Sequence, residues 1–170
     1  MLGYIEIEQG ILEIKRVATG RDLLKALQAQ SKGEGFISTL ISSVCLLNGN
    51  AVDVTKVEDF DAGVSLTIQE VIFEPKSLVP IDLDSYPKSY ALDERIVTLN
   101  EPRKIKHDNQ ATRFANGDNT AIAFWLISFL VSIDEKKLTY DDVLDLPAGE
   151  VQALMQLVTP KKPTFVRQKI

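Results

Sequence analysis

The feature that most constrains this fold is an internal correspondence within the chain: residues 40–72 align with residues 126–158 without a gap. The triplet Leu-Ile-Ser begins both segments, and apolar residues recur at matching positions along them. Residues that can cap a helix start also coincide, since Asp53 aligns with Thr139. Any two amphipathic segments can be brought into partial register, but the gapless length and the matching helix breakers favour a true duplication. The sequence therefore predicts two diverged copies of one unit.

Each predicted copy begins with a β-hairpin. Apolar and charged residues alternate on both sides of Gly10, a pattern typical of two strands joined by a turn. In the second copy, residues 95–99 form the predicted strand and residues 104–106 its hairpin partner.

Apolar residues at helical spacing follow each hairpin and predict about three helices per copy. In the first copy the predicted helices begin near Gly20 and then cover residues 36–47, 53–60 and 62–72. The β-branched residues of the last segment leave a strand open over residues 64–72. In the second copy the predicted helices cover residues 110–115, 120–132 and 147–158, with a further capped helix start at Thr139. The predicted fold class is α+β and mainly helical.

Three prolines, at positions 75, 80 and 87, separate the two copies. Because proline fixes its own φ and moves the preceding residue out of helical geometry, this region is predicted to be an extended linker. The predicted organisation is a first repeat at 1–73, a linker at 74–93, a second repeat at 94–160 and a basic tail at 161–170. Each repeat alone would bury only a modest part of its apolar surface. The repeats are therefore expected to pack against each other or against another chain, including in a homo-oligomer.

Charge and hydropathy exclude two classes of partner. The net charge of −5 and the pI near 5.0 disfavour nucleic acid, which usually binds basic surfaces. The longest apolar stretch without charge, residues 121–133, is shorter than the roughly 20 residues that a membrane-spanning helix needs. The first residues lack a basic segment followed by an apolar one, so the sequence predicts no signal peptide and a cytoplasmic location.

Reactive side chains are scarce. Cys45 is the only cysteine and lies in an apolar run, which favours a buried hydrophobic role over a reactive thiol. His107 is the only histidine and lies in a polar stretch, which favours an exposed or surface-bonded imidazole over a catalytic base. The acidic clusters lack the spacing of a calcium loop, and carboxylates near helix starts favour capping instead. We therefore predict no enzymatic activity, no catalytic residues, no cofactor and no metal site.

Four aromatic residues of the second copy form the one aromatic concentration in the sequence, and they have a candidate function. They are Phe114, Phe124, Trp125 and Phe129. Core packing explains such a set most simply, and the functional alternative is the edge of a groove that receives an apolar partner helix. We therefore take these four residues as the candidate partner-binding site.

The end of the second copy resembles a known protein family. Residues 138–151 read Leu-Thr-Tyr-Asp-Asp-Val-Leu-Asp-Leu-Pro-Ala-Gly-Glu-Val. This phrase, and the hairpin followed by a Leu-Ile-Ser helix in each half, resemble the small tail assembly chaperones of Mu-like and other contractile-tailed bacteriophages. The resemblance covers most of the second half and residues 5–72. It transfers no residue with an assigned chemical role.

The resemblance implies a protein-binding role in the cytoplasm of a bacterial host. Such a chaperone would bind a phage tail component, for example the long helical tape measure, and keep its apolar surface from self-association. The alternative is a structural tail or baseplate adaptor that uses the same apolar faces as permanent interfaces and stays in the virion.

Overall fold

The chain folds into two antiparallel sheets joined and flanked by helices. The computed structural model describes residues 1–169, so Ile170, the last residue of the predicted basic tail, lies outside the described residues. The elements of the first half are β1 (Gly3–Ile7), β2 (Gly10–Ile14), α1 (Gly20–Ser31), α2 (Phe36–Val44), β3 (Cys45–Leu47), β4 (Asn50–Ala51), α3 (Val54–Val57) and α4 (Ala62–Ile72). The elements that follow are β5 (Val79–Asp82), β6 (Lys88–Leu92), β7 (Arg95–Leu99), α5 (Ile105–Ala115), one 3₁₀ turn (Asn119–Ala121), α6 (Ile122–Leu130), β8 (Val131–Ile133), β9 (Lys136–Lys137), α7 (Tyr140–Asp145) and α8 (Ala148–Val158).

The first sheet has the order β1-β2-β3-β4 and the second the order β5-β6-β7-β8-β9. Every neighbouring pair is antiparallel. About 45% of the chain is helical, so the predicted class, α+β and mainly helical, is confirmed.

Local helix signals in the sequence correspond to real caps. Thr19 and Asp22 form a capping box at the start of α1, and Thr139 and Asp142 form the same box at the start of α7. The carboxylate of Asp53 accepts a hydrogen bond from the backbone N–H of Thr55 and so caps α3.

The two central helices are shorter than predicted. The helix predicted at 36–47 ends at Val44, and the helix predicted at 120–132 ends at Leu130. In each case the next three residues form a strand, which pairs with β2 in the first half and with β7 in the second. A continuous apolar run suits a buried helix and a buried strand equally, and pairing with the hairpin decides between them.

The residues after these short strands form tight hairpin turns. Asn48 and Gly49 have φ values of 51° and 79°, and Asp134 and Glu135 have φ values of 48° and 66°. Two successive residues with positive φ are typical of a type I′ turn, for which Asn-Gly is the strongest sequence signal. The sequence prediction treated this Asn-Gly only as a helix breaker.

The predicted linker at 74–93 contains two strands, which corrects its boundaries. Strand β6 pairs with β7 along its whole length, so residues 104–106 are not the hairpin partner of β7. They lead into α5 instead. Pro80 lies in β5, an edge strand, where the missing N–H of proline does not interrupt a ladder.

The pairing geometry of the two sheets follows one plan. Gly3 lies opposite Ile14 in the first sheet. In the second sheet Lys88 lies opposite Leu99, and these two residues are 85 positions further along the chain than Gly3 and Ile14. Four further elements of the first half have counterparts with bounds 86 positions further along the chain. Helices α2 and α4 correspond to α6 and α8, and strands β3 and β4 correspond to β8 and β9. Among residues 1–169, no strand of the first sheet corresponds to β5.

The two halves share one hydrophobic core. Fully buried residues of both halves belong to a single cluster, for example Leu12, Leu40, Ile41, Ile68, Phe124, Ile127, Leu130 and Leu154. Helix α1 of the first half packs against α7 and α8 of the second. Within the described residues, α5 makes no comparable contact with α3 or α4. The contact between the halves is therefore directional, with different surfaces on its two sides.

Backbone contacts fix the position of α1 against the second half. The N–H of Gly20 donates to the carbonyl of Leu146 at 2.7 Å, and the N–H of Ala148 donates to the carbonyl of Ala18 at 2.8 Å. A Cβ at Gly20 would lie 2.5 Å from the carbonyl oxygen of Val143. This position therefore requires glycine.

Candidate partner-binding site

The candidate site is a stack of four aromatic rings, here called the aromatic cluster and consisting of Phe114, Trp125, Phe129 and Tyr140. Trp125 is its centre, with ring centroids 4.1 Å from Tyr140 and 5.0 Å from Phe114, both in stacked geometry. The ring of Phe129 lies 5.7 Å from that of Phe114 and 6.1 Å from that of Trp125. The three separations that involve Phe114 or Phe129 fall in the range of favourable aromatic pairs, and Tyr140 stacks on Trp125 at a slightly shorter distance.

Three helices position the cluster. Trp125 and Phe129 are one turn apart on α6 and therefore point to the same side. Phe114 lies in the last turn of α5, and Tyr140 is the first residue of α7. Because α6 packs against both α5 and α7, the rings meet above α6.

Exposure distinguishes the members of the predicted site. Phe114 is 53% exposed, whereas Trp125, Phe129 and Tyr140 are partly buried and pack against the core. Phe124 is fully buried. It follows Ala123 and precedes Trp125 on α6, and adjacent helical residues point in different directions. Phe124 therefore belongs to the core, which corrects its place in the predicted partner-binding set.

Tyr140 is the member that sequence reasoning missed. The only local signal was its position directly after the capping residue Thr139. Its contact with Trp125 depends on how α7 packs against α6, which no short-range pattern reports. Burial, together with the negative charge of Asp118, raises the pKa of the Tyr140 hydroxyl.

The exposure of Phe114 follows from the register of α5. The buried positions of this helix are His107, Ala111 and Ala115, spaced by one turn each. Phe114 lies beside this buried face and covers Trp125 with one side of its ring while the other side stays exposed.

The surroundings of Phe129 are basic. A cavity beside it is lined by the side chains of Lys106, Arg113 and Lys137, with Glu101 as the one carboxylate among its lining residues. An acidic partner would therefore be attracted to this side of the aromatic cluster.

His107 is buried, which corrects the prediction of an exposed imidazole. It is 4% exposed, its Nδ1 accepts a hydrogen bond from the backbone N–H of Lys104 at 2.8 Å, and its Nε2 lies 3.1 Å from Oε1 of Glu101. The imidazole thus caps the start of α5 in the way that Asp22 caps the start of α1. The hydrogen bond with His107 lowers the pKa of Glu101 despite the opposing effect of desolvation.

Cys45 is fully buried, and this burial raises the pKa of its thiol to about 11. The predicted role as a buried hydrophobic residue fits this environment. Among the described residues no group of three or more His, Cys, Asp or Glu side chains is arranged to hold a metal ion.

Comparison of the chain with protein-family models gives no match, and comparisons with curated proteins and with solved structures give none either. In the part of the chain that the structure describes, no helix is both long and apolar enough to cross a membrane.

Proposed function

We propose that this chain is a non-enzymatic, protein-binding assembly factor of a phage or phage-like contractile tail. Its aromatic cluster binds an apolar helix of a tail component such as the tape measure. The phage assignment comes from the resemblance of residues 138–151, and the binding role comes from the cluster itself.

The observation that carries the binding role is that the fold does not require the aromatic cluster. Residues 85 or 86 positions before the four rings occupy the same places in the first half. They are Ala29, Thr39, Ser43 and Val54. The first half builds the same elements with these smaller side chains, so scaffold stability does not explain the four clustered rings in the second half. Aromatic side chains with few rotatable bonds are efficient contact residues for a partner.

We also propose that the two halves are diverged copies of one unit, as the alignment of residues 40–72 with 126–158 predicts. The common offset of their strand registers and helix bounds supports this duplication. In this view one unit has acquired the aromatic cluster, while the other supports it through the shared core.

The charges around the cluster favour a partner helix with acidic residues beside its apolar face. Lys106, Arg113 and Lys137 would lie next to those carboxylates when the apolar face covers Phe114. Partly exposed charge pairs of this kind contribute mainly to the rate and specificity of association.

The test is co-purification of tagged chain from cells that assemble the tails. A tail component with apolar helices should be recovered with the natural chain and lost with Phe114→Ser, since this ring is the most exposed of the cluster. Leu83→Ser is the matched control, because Leu83 is also a large exposed apolar residue, 42% exposed, and lies outside the cluster. Equal recovery with both variants would refute the assignment of the site.

Mass spectrometry of finished particles separates the chaperone from the retained adaptor. A chaperone leaves before assembly ends and should be absent or trace in particles. Presence at a fixed, stoichiometric level would establish the adaptor instead.

A further inference from the structure

Strand β1 is one of the two edges of the first sheet and is unpaired on its outer side within the described residues, whereas the matching edge of the second sheet is covered. There, β5 pairs with β6, and β6 is the strand that corresponds to β1. An unpaired strand edge presents free N–H and C=O groups to any extended segment that can reach it.

A candidate segment follows α8. Strand β5 follows α4, and α8 is the counterpart of α4, 86 positions further along the chain. The same offset from β5 leads to residues 165–168, which lie as far after α8 as β5 lies after α4. This segment reads Phe-Val-Arg-Gln, and its Phe165 and Val166 are 85% and 79% exposed. Residues 159–169 have no regular secondary structure. The molecule thus contains both an unused strand edge and an unused strand-like segment.

From this pairing we infer that residues 165–168 of one molecule add to β1 of a second copy of the same chain as an antiparallel strand. The register of β5 on β6 places Val79 opposite Ala91, Pro80 opposite Tyr90 and Asp82 opposite Ser89. The same offsets place Phe165 opposite Glu6, Val166 opposite Ile5 and Gln168 opposite Tyr4.

The chemistry of the two surfaces is complementary. Residues 161–169 contain four basic side chains and no acidic one, and the hairpin of residues 3–14 contains three glutamates and no basic residue. A cavity of about 260 Å³ lies on the outer side of this hairpin, between Tyr4 and Ile11. In the inferred register, the ring of Phe165 lies on this outer side beside Glu6 and can fill the cavity.

A glycine without a structural reason points to the same interface. A Cβ at Gly149 would lie 2.1 Å from the carbonyl oxygen of Glu74, so the close contact between the halves requires glycine there. At its counterpart Gly63, an added Cβ would meet no atom within 4 Å, so packing within one molecule does not require glycine there. Glycine nevertheless occupies this helical position, although it weakens a helix relative to alanine. In a second copy placed as the halves are, the backbone at Pro160 would occupy the place of Glu74 and approach Gly63.

Charges at the helical part of this interface also match. The ion pair between Arg21 and Asp145 joins the halves at 3.3 Å. The residues in the corresponding places are Lys106 and Asp59, which would pair between molecules. The main difference is Ile105 at the place of Gly20, where the atom nearest to a Cβ is the backbone carbonyl oxygen of Val143, whose counterpart is that of Val57. The helices must therefore lie further apart between molecules than between the halves, and Ser65, which is smaller than its counterpart Val151, provides part of the space.

A second copy is the occupant, because the contact between the halves is directional. The first half contacts the second through α1, and the second half contacts α1 through α7 and α8. The surface of the second half that corresponds to α1 lies on α5, and it is available to a second molecule. Such head-to-tail contacts produce rings or open filaments.

Sedimentation velocity of the purified chain from micromolar to millimolar concentration tests the inference without any tail partner. The natural chain should associate with rising concentration. Phe165→Asp should weaken association by at least about tenfold, because it removes a buried aromatic contact and adds a charge next to Glu6. Phe165→Leu should weaken it less. Both changes lie at an exposed residue, and an unchanged urea unfolding midpoint would confirm that the fold is intact.

A mixing experiment identifies the two surfaces. A chain with Glu6→Lys, Glu8→Lys and Glu13→Lys should be monomeric, yet it keeps its own residues 165–168. Mixed with the Phe165→Asp chain, it should form one-to-one dimers. A monomeric natural chain at all concentrations, or association that survives Phe165→Asp, would overturn the inference. Protection of residues 3–7 from hydrogen exchange in a monomer, lost in Phe165→Asp, would show pairing within one molecule and would also overturn it.

Discussion

Replacing Gly149 by alanine should destabilise the fold, whereas the same change at Gly63 should stabilise it. The two glycines are second residues of α8 and α4, in corresponding positions of the two halves. At Gly149 an added Cβ would lie 2.1 Å from the carbonyl oxygen and 3.0 Å from the carbonyl carbon of Glu74. Both atoms belong to the backbone, so no side-chain rotation relieves the clash. At Gly63 the same Cβ meets nothing within 4 Å.

The expected magnitudes follow from two opposing effects. A clash with backbone atoms at 2.1 Å falls in the upper part of the range for overpacking, about 2–3 kcal/mol, and alanine gains about 1 kcal/mol over glycine in a helix. Gly149→Ala should therefore lower the free energy of unfolding by about 1–2 kcal/mol in net terms. Gly63→Ala should raise it by about 0.5–1 kcal/mol. For a chain of this size, the melting temperature should fall by roughly 2–8 °C in the first variant and rise by roughly 1–4 °C in the second.

Urea denaturation at low protein concentration, followed by circular dichroism, measures both changes on the monomer. A Gly149→Ala chain as stable as the natural one would refute the close backbone contact between α8 and Glu74. Stabilisation in both variants would show that the two positions have the same surroundings. In the same samples at high concentration, Gly63→Ala should weaken self-association although it stabilises the monomer.

Three further predictions concern buried polar groups and the thiol. Burial opposes ionisation of Asp22, but the hydrogen bonds from Arg16 and Thr19 and the charge of Arg16 together outweigh it and lower its pKa. Asp22→Asn should therefore cost about 1–2 kcal/mol above pH 4 in urea unfolding, and the loss should disappear as the pH falls through the lowered pKa; a loss independent of pH would contradict this. The thiol of Cys45, with its pKa raised to about 11 by burial, should react with a disulfide reagent at pH 8 only after unfolding; rapid reaction of native protein would refute its burial. Arg95→Ala removes the ion-pair partner of Glu150, which is 4% exposed, and should cost about 2–3 kcal/mol in urea unfolding, with Arg95→Lys in between; an unchanged midpoint would contradict the pairing.

Sequence reasoning located the features that depend on neighbouring residues. The caps at Thr139 and Asp53 and the turn at Gly10 were predicted because a few adjacent side chains determine them. The helices predicted at 36–47 and 120–132 include strand residues at 45–47 and 131–132, since their pairing with β2 and β7 spans a large sequence distance. Strand β6 is not predicted although β7 begins only three residues after it, because the prolines at 75, 80 and 87 favour a linker over this region.

The candidate site shows the same division. Trp125 and Phe129 share a helix face, and the sequence groups them with Phe114 and Phe124 only as one concentration of aromatic residues. That Phe124 belongs to the core while Trp125 belongs to the aromatic cluster depends on how α6 is oriented relative to the core. That Tyr140 belongs to the cluster depends on how α7 packs against α6. The polar neighbours of His107 in the sequence concealed its burial on the inner face of α5, where its spacing of one turn from Ala111 was the available signal.

Photo-crosslinking from position 114 in cells that assemble the tails tests the proposed function most directly. A photoreactive phenylalanine analogue at Phe114 keeps the ring of the aromatic cluster in place, and the same analogue at Leu83 is the control for general surface contacts. The proposal predicts a crosslink from position 114, and not from position 83, to an apolar helical segment of a tail protein. Crosslinks from both positions to the same unrelated proteins, or none from position 114 during tail assembly, would contradict it.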